Sequence, residues 1–460
     1  MKGETTTVVL STPTKEQKRE IDKIKKALDR NKDGAVSNTI SNYVTILTSD
    51  PKLSGAIRLN ELSSRIHIVR DLGWKRNRDA PLTDTDANYL RLYIERQYGI
   101  SSEKLLASAI DVAANENRFH PIRDRLESLV HDGISRIPYV LRHFLGAEIS
   151  EVNTAFMTVW LLEAIARVFT PGIKADLMLC LPGDQGAGKS SFFRFMAMQD
   201  EWFTDDIRRL DDDNVCRRLS GHLIVELSEM NAMSKARVEE IKAFISRQYD
   251  TYKVPYDRHP KDIPRQCVFC GSANRKAFLP ADRSGNRRFM PVEINAKQAE
   301  VHILENEAES RAYCEQVWAE AMTIFRSGEY SLSLPKEIEM HLAALQQDFL
   351  PEDDRIGMIT GFLDRTTENN VCSRMIYREA FTAFREPTQY DLREIAEIVN
   401  TEIKDGRLPQ WRRYPSTRRY VLYGQQRGWE RVPPDADGFT QVQLPVGLFE
   451  DDPLPVSPDQ

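Results

Sequence analysis

The sequence predicts an α/β core, preceded by an all-α N-terminal domain and followed by a small helical, winged-helix-like C-terminal domain. Three observations carry that expectation. Apolar runs of strand length at Ala175–Leu181, His222–Glu226, Gln266–Ser272 and Arg288–Ile294 alternate with helical stretches. The first of them runs directly into Gly183-Asp-Gln-Gly186-Ala-Gly188-Lys189-Ser190, a GxxxxGK[ST] loop, and then into a helix. Before residue 150 and from 326 to about 400, the apolar residues recur instead at helical spacing.

Taken along the chain, residues 1–34 read as a polar leader and an exposed helix, with Ile21, Ile24 and Leu28 on one stripe. Residues 35–149 read as short helices. Thr83-Asp84-Thr85-Asp86 opens one of them with capping side chains, a better account of the two acids than a metal-binding DxD. A long apolar helix, Val152–Phe169, leads into the α/β core at 150–325. Residues 326–431 form the helical C-terminal domain, and 432–460 read as a tail with six prolines, six acids and no Lys or Arg.

The formal charge of the 460-residue chain is −6, which taken alone argues against a nucleic-acid partner. The tail holds that whole excess, so residues 1–431 are neutral. Two segments are cationic: 242–288 at +7 and 404–431 at +6. The apolar run Ala155–Phe169 is broken by Glu163 and Arg167, so no uninterrupted stretch reaches membrane-spanning length. Six cysteines in 460 residues fit a reducing cytoplasm better than a disulfide scaffold. Cys267 and Cys270 form a CxxC on a strand, where positions i and i+3 face opposite ways and cannot share a tetrahedral metal. Asp29-Arg-Asn31-Lys-Asp33-Gly34 starts like a calcium loop, but its twelfth position is Ile40 rather than a bidentate Glu, so a helix end and turn is expected.

The loop after the first core strand points to ATP and Mg²⁺. Glycines at 183, 186 and 188 let backbone N–H groups turn onto phosphate oxygens at a helix N-terminus that also carries Ser191. Lys189 neutralises the β/γ-phosphates, and Ser190 is the expected metal ligand. Glu226 ends an acidic strand 37 residues later, where it holds Mg²⁺ or polarises the attacking water. Glu229 shares that position, and the residues do not assign base and metal ligand between the two. Asn274, at a strand tip beside the loop, suits orienting the water; the alternative is an ordinary turn Asn. Arg287 and Arg288 suit a finger reaching a neighbouring subunit's nucleotide, or a pair of surface arginines.

This order of motifs resembles the virulence-associated E family of phages, satellites and other mobile elements, placed with the superfamily 3 helicases of the AAA+ class. The residues that carry the resemblance are the P-loop, Glu226-Leu-Ser-Glu229, Lys242–Lys253, Pro264-Arg265, Ser272-Ala-Asn274 and Gly285-Asn-Arg287-Arg288-Phe289. One departure is that Leu227 and Ser228 separate the two acids that many superfamily 3 proteins place side by side. The resemblance implies an α/β P-loop AAA+ ATPase core and a ring, expected as a hexamer, that translocates on single-stranded DNA in a bacterial host cell. It also implies that a hairpin within Tyr252–Lys261 projects into the channel. Cations for phosphates and aromatics for bases are what single-strand tracking needs, which makes Lys253, Arg258, His259 and Lys261 DNA-binding candidates.

In the C-terminal domain, the helical pattern Tyr390–Ile403 followed by Tyr414–Tyr423 suggests a winged-helix-like unit that docks on duplex DNA through Arg412, Arg413, Arg418 and Arg419. A basic helical cap for the core is the competing reading. Gln443-Leu-Pro-Val-Gly-Leu448-Phe449 in the tail loosely resembles peptides that bind the bacterial sliding clamp. Residues 1–150 show no cluster of catalytic acids or zinc ligands, so a primase is expected as a partner rather than within the chain. A replication helicase of a mobile element is the expected function. Its rivals are an origin-binding or loader protein that does not unwind, and a P-loop phosphotransferase.

Overall fold

The computed structural model describes residues 13–76, 80–207, 210, 215–228, 235–252, 260–279, 286–350, 354–381 and 385–432. The chain forms two compact units, residues 1–351 and 352–460.

The first unit begins with the Lys15–Ala27 helix, closed by a Thr14–Gln17 capping box and burying Ile21. Asn31 then makes the turn expected in place of a calcium loop: its side-chain oxygen accepts from the N–H groups of Asp33 and Ala35. The N-terminal region is not all-α. β1 (Ile57–Asn60) and β2 (Arg65–Ile68) form an antiparallel hairpin, and β3 (Arg118–Phe119) pairs parallel to β1. These strands are two to four residues long, shorter than the window in which alternation can be recognised. A turn at Asn60 closes the hairpin, its side chain accepting from the N–H groups of Leu62 and Ser63. Thr83 and Asp86 form the expected capping box, and Asp86 also accepts from Trp74 and Arg76.

The Glu151–Phe169 helix is long and apolar enough to cross a bilayer by composition, yet two-thirds of its best window is buried inside the protein. It packs on a five-stranded parallel sheet made of β4 (Met178–Pro182), β5 (Phe203–Thr204), β6 (Ile224–Leu227), β9 (Val268–Ala273) and β10 (Phe289–Pro291). Between β6 and β9 the chain forms an antiparallel hairpin of β7 (Tyr249–Tyr252) and β8 (Lys261–Pro264). The sheet order is β10-β4-β9-β6-β5. The strand that follows the hairpin therefore sits between the loop-bearing strand β4 and the acidic strand β6. Trp160 donates its ring N–H to the Phe269 carbonyl at 2.9 Å, and the fully buried Arg167 donates to the Cys267 carbonyl at 2.5 Å. Both of these polar groups are thus satisfied where they cross the apolar interface. All six cysteines are free, and Cys267 and Cys270 are packed in the sheet.

The first unit extends beyond 325, the end expected for the core. Gln346 donates to the carbonyls of Asn286 and Phe289, and Phe349 is buried against the sheet's far face.

The second unit consists of the Asp354–Arg365 helix, β11 (Asn370–Cys372), the Ser373–Ala380 and Gln389–Lys404 helices, β12 (Trp411–Arg413), β13 (Arg418–Tyr420), β14 (Gly424–Gln426) and β15 (Gly428–Arg431). β11, β15 and β12 form one antiparallel sheet, while β13 and β14 form a separate hairpin. Trp411 and Trp429 lie in the core with Ile395, Val399 and Leu363 and are not available to stack on bases. Gly428 is required here, because a Cβ at this position would lie 2.1 Å from the Val371 carbonyl oxygen.

Candidate nucleotide site and nucleic-acid surfaces

β4 ends at Pro182, and the N–H of Gly183 donates to the Ala273 carbonyl at 3.0 Å, which holds the loop against the tip of β9. A Cβ on Gly183 would meet Ile294 Cγ1 at 2.3 Å, so only glycine keeps the loop this close to the β10 side. Gly188, at φ 81°, caps the Lys189–Met196 helix, whose first turn carries Ser190 and Ser191. Gly186 has the same φ and faces open space.

Lys189 is buried, and its Nζ donates to the carbonyls of Gly183 (2.6 Å) and Asp184 (2.7 Å) and to Asn274 Oδ1 (3.2 Å). Burial pulls its pKa down, while Asp184 and Glu226 pull it back up. Glu226, at the end of β6, is fully buried. Its Oε1 accepts from Ser190 Oγ at 2.9 Å and from Ser272 Oγ at 2.5 Å, and its Oε2 has no partner among the described residues. Burial pushes the carboxyl pKa up, against the pull of the two hydroxyls and Lys189.

These residues fit a magnesium nucleotide. A hard cation takes oxygen ligands, and Mg²⁺ is typically held by one or two protein groups together with substrate phosphates. Ser190 Oγ and the unpartnered Glu226 Oε2 provide such a donor set. Among the described residues there is no group of three or more His, Cys, Asp or Glu able to form an all-protein cage.

The structure brings Lys189, Ser190, Glu226 and Asn274 together. Ser272 joins them without having been singled out by its sequence. The parallel registers place Leu181 opposite Ser272 and Glu226 opposite Cys270, so Ser272 lies at the level of the loop. A register of this kind depends on long-range pairing and leaves no local signal. Glu229 lies outside the described residues, as do Lys253, Arg258 and His259.

Lys261 is exposed at the start of β8, opposite Tyr252. The β7–β8 hairpin that carries it is anchored by a buried ion pair, in which Arg265 Nε and Nη2 donate to the two Asp250 oxygens at 2.6 and 2.7 Å. The guanidinium also donates to the Phe244 carbonyl and lies over the Phe244 ring, 4.5 Å from its centroid. Arg287 is exposed. Arg288 instead donates to Asp176 at 3.1 Å, and the same carboxylate accepts from Ser246 at 3.4 Å. Asp176, just before β4, thus joins the arginine segment to the end of the helix that leads into the hairpin.

In the second unit, Arg412 donates to Glu430 at 2.8 Å and Arg418 to Asn370, whereas Arg413 and Arg419 are exposed.

The family model of the virulence-associated protein E-like domain matches residues 126–351. Solved structures that resemble the chain include two of the NrS-1 C-terminal region in its A form without ligand. They are 13% and 12% identical, with TM-scores of 0.43 and 0.46, and each match covers 82% of this chain and 96% of the other. No curated protein matches the chain.

Proposed function

Residues 126–351 form a virulence-associated protein E-like domain, and from that premise we propose that the chain is a replication protein of a mobile genetic element, an ATP-driven DNA helicase acting as a homo-oligomeric ring. The observation that carries the proposal is the Lys189–Asn274 and Ser190–Glu226–Ser272 constellation around the loop. A strand–loop–helix with a buried lysine, a hydroxyl and an acidic strand end has the parts that phosphoryl transfer requires.

In this reading the loop N–H groups and Lys189 hold the triphosphate, and Lys189 exchanges the Gly183 and Asp184 carbonyls for phosphate oxygens. Ser190 and Glu226 hold Mg²⁺, which when bound neutralises charge on the β/γ-phosphates. Asn274, within reach of Lys189, orients the attacking water. Arg287, exposed where Arg288 is paired, reaches the nucleotide of the neighbouring subunit. The anchored β7–β8 hairpin meets one DNA strand with Lys261; Lys253, Arg258 and His259 are proposed to act with it, and the second unit meets duplex DNA. We place this activity in a bacterial cytoplasm, with a separate primase and the host sliding clamp as proposed partners.

The test is ATP hydrolysis with and without single-stranded DNA. We expect DNA-stimulated turnover by the parent and its loss in Lys189→Ala. Undiminished turnover in Lys189→Ala would refute the assignment of the site.

A further inference from the structure

The cationic charge of the second unit is not on the helix that a duplex-reading helix-and-wing unit would be expected to use. The Gln389–Lys404 helix carries Arg393 and Lys404 against Asp391, Glu394, Glu397 and Glu402, a net of −2. Residues 411–431, which form the strands and the hairpin, carry six arginines against Glu430, a net of +5. Asp391 and Glu402 are buried, so the solvent side of the helix, with Arg393 and Lys404 against Glu394 and Glu397, is neutral, and attraction for phosphates favours the hairpin side.

The hairpin also has an unusual tip. The turn joining β13 to β14 places Val421 and Leu422 side by side in solvent, 100% and 83% exposed. Isolated exposed apolar residues are common, but two adjacent ones at the tip of a cationic hairpin form a different feature. The strand positions behind them are held firmly. The Tyr420 hydroxyl donates to the Val371 carbonyl at 2.9 Å, the Tyr423 hydroxyl donates to Glu379 at 3.0 Å, and Arg418 lies over the Tyr414 ring. The tip thus presents its apolar pair from a braced support. Arg419 lies two residues before Val421, and Arg413 and Arg427 are exposed nearby in sequence.

We infer that the β13–β14 hairpin, rather than the preceding helix, is the duplex-engaging element, with Val421 and Leu422 as a wedge at a base step and Arg413, Arg419 and Arg427 on phosphates. This rests on the proposed DNA-binding role of the second unit and assigns the residues and the mode of contact. Apolar side chains inserted between base pairs unstack a step, and cations on the flanking phosphates supply the affinity that offsets the unstacking. Duplex DNA is the occupant indicated by charge complementarity. A neutral lipid or protein surface would call for the apolar pair without needing the arginines, and tighter binding to anionic vesicles than to the duplex would overturn the choice of DNA.

The test uses the full chain, free of nucleotide and in EDTA, with a forked duplex that carries 2-aminopurine at the junction. Fluorescence reports unstacking and anisotropy reports affinity. The parent is expected to raise the fluorescence about twofold or more at saturation. Val421→Ser/Leu422→Ser should bind within about threefold of the parent and leave the fluorescence at the free-duplex level, since the phosphate contacts remain. Arg413→Ala/Arg419→Ala/Arg427→Ala should weaken binding about tenfold or more at low salt. All five positions are exposed, and matching thermal melts would establish that the variants fold. A parent that binds without any rise, a serine variant that keeps the rise, or an alanine variant that binds like the parent would each overturn the inference. ATP plays no part in this readout, so a failure of the ATPase assignment registers separately, in the hydrolysis assay.

Discussion

Glu226→Gln should stabilise the nucleotide-free protein while abolishing turnover. The carboxylate is fully buried: one oxygen accepts from Ser190 and Ser272, and the other has no partner among the described residues. Leaving a buried acceptor unsatisfied costs about 1–3 kcal/mol, and more when the group is charged. Glutamine has the same shape and keeps an oxygen for both hydroxyls. It replaces the unpartnered anionic oxygen with a neutral amide, which is itself unpartnered. The difference is a net gain of about 1 kcal/mol, or about 2 °C in melting temperature for a unit of this size. The pH dependence has a defined sign. Burial raises the Glu226 pKa in the folded protein, so its contribution to stability is fullest below the ordinary carboxylate range and is lost as pH rises through the raised value. The advantage of glutamine should therefore be largest at alkaline pH and close as pH falls toward the ordinary carboxylate range. With Mg²⁺ and ATP the order should reverse, because a ligand at 100 times its dissociation constant adds about 2.7 kcal/mol to whichever protein binds it. The assay is thermal melting in EDTA across this pH range, repeated with Mg²⁺-ATP. A variant that melts at or below the parent at alkaline pH in EDTA, or a gap that does not depend on pH, would refute the reasoning.

Other outcomes follow from the same structure. Arg265→Leu leaves Asp250 buried without its ion pair and should cost roughly 3–5 kcal/mol in urea unfolding; a loss below about 1 kcal/mol would mean that the β7–β8 hairpin does not depend on this anchor. Gly428→Ala forces a methyl group onto the Val371 carbonyl and should cost about 3 kcal/mol or more, read as loss of the near-ultraviolet signal of Trp411 and Trp429. Deleting residues 432–460 removes six acids and no cations and should tighten non-specific DNA binding at low salt; unchanged affinity would count against an electrostatic role for the tail.

The elements that could be read from sequence are those with a strong local pattern. The four core strands and the loop after β4 announce themselves through apolar runs broken by glycine, and Thr83 marks its helix through capping chemistry alone. What escaped depends on partners distant in the chain. β1 and β2 are four residues each, and their pairing is visible only once Ile57 meets Ile68. Ser272 reaches Glu226 through the registers on either side of β9. Arg288 resembles Arg287 until Asp176, 112 residues earlier, is placed beside it. Trp411 and Trp429 sit among arginines in the sequence, yet the alternation of a strand turns both into the core. Nothing local to Gln346 indicates that it donates to the Asn286 and Phe289 carbonyls.

Strand displacement on a forked duplex, with the parent and Lys189→Ala measured side by side and mass in solution followed under the same conditions, tests the central proposal most directly. The account predicts ATP-dependent unwinding by a ring-sized assembly of the parent and none by the variant. Robust DNA-stimulated ATP hydrolysis by the parent with no strand displacement would contradict it and would identify instead a protein that remodels or loads without unwinding.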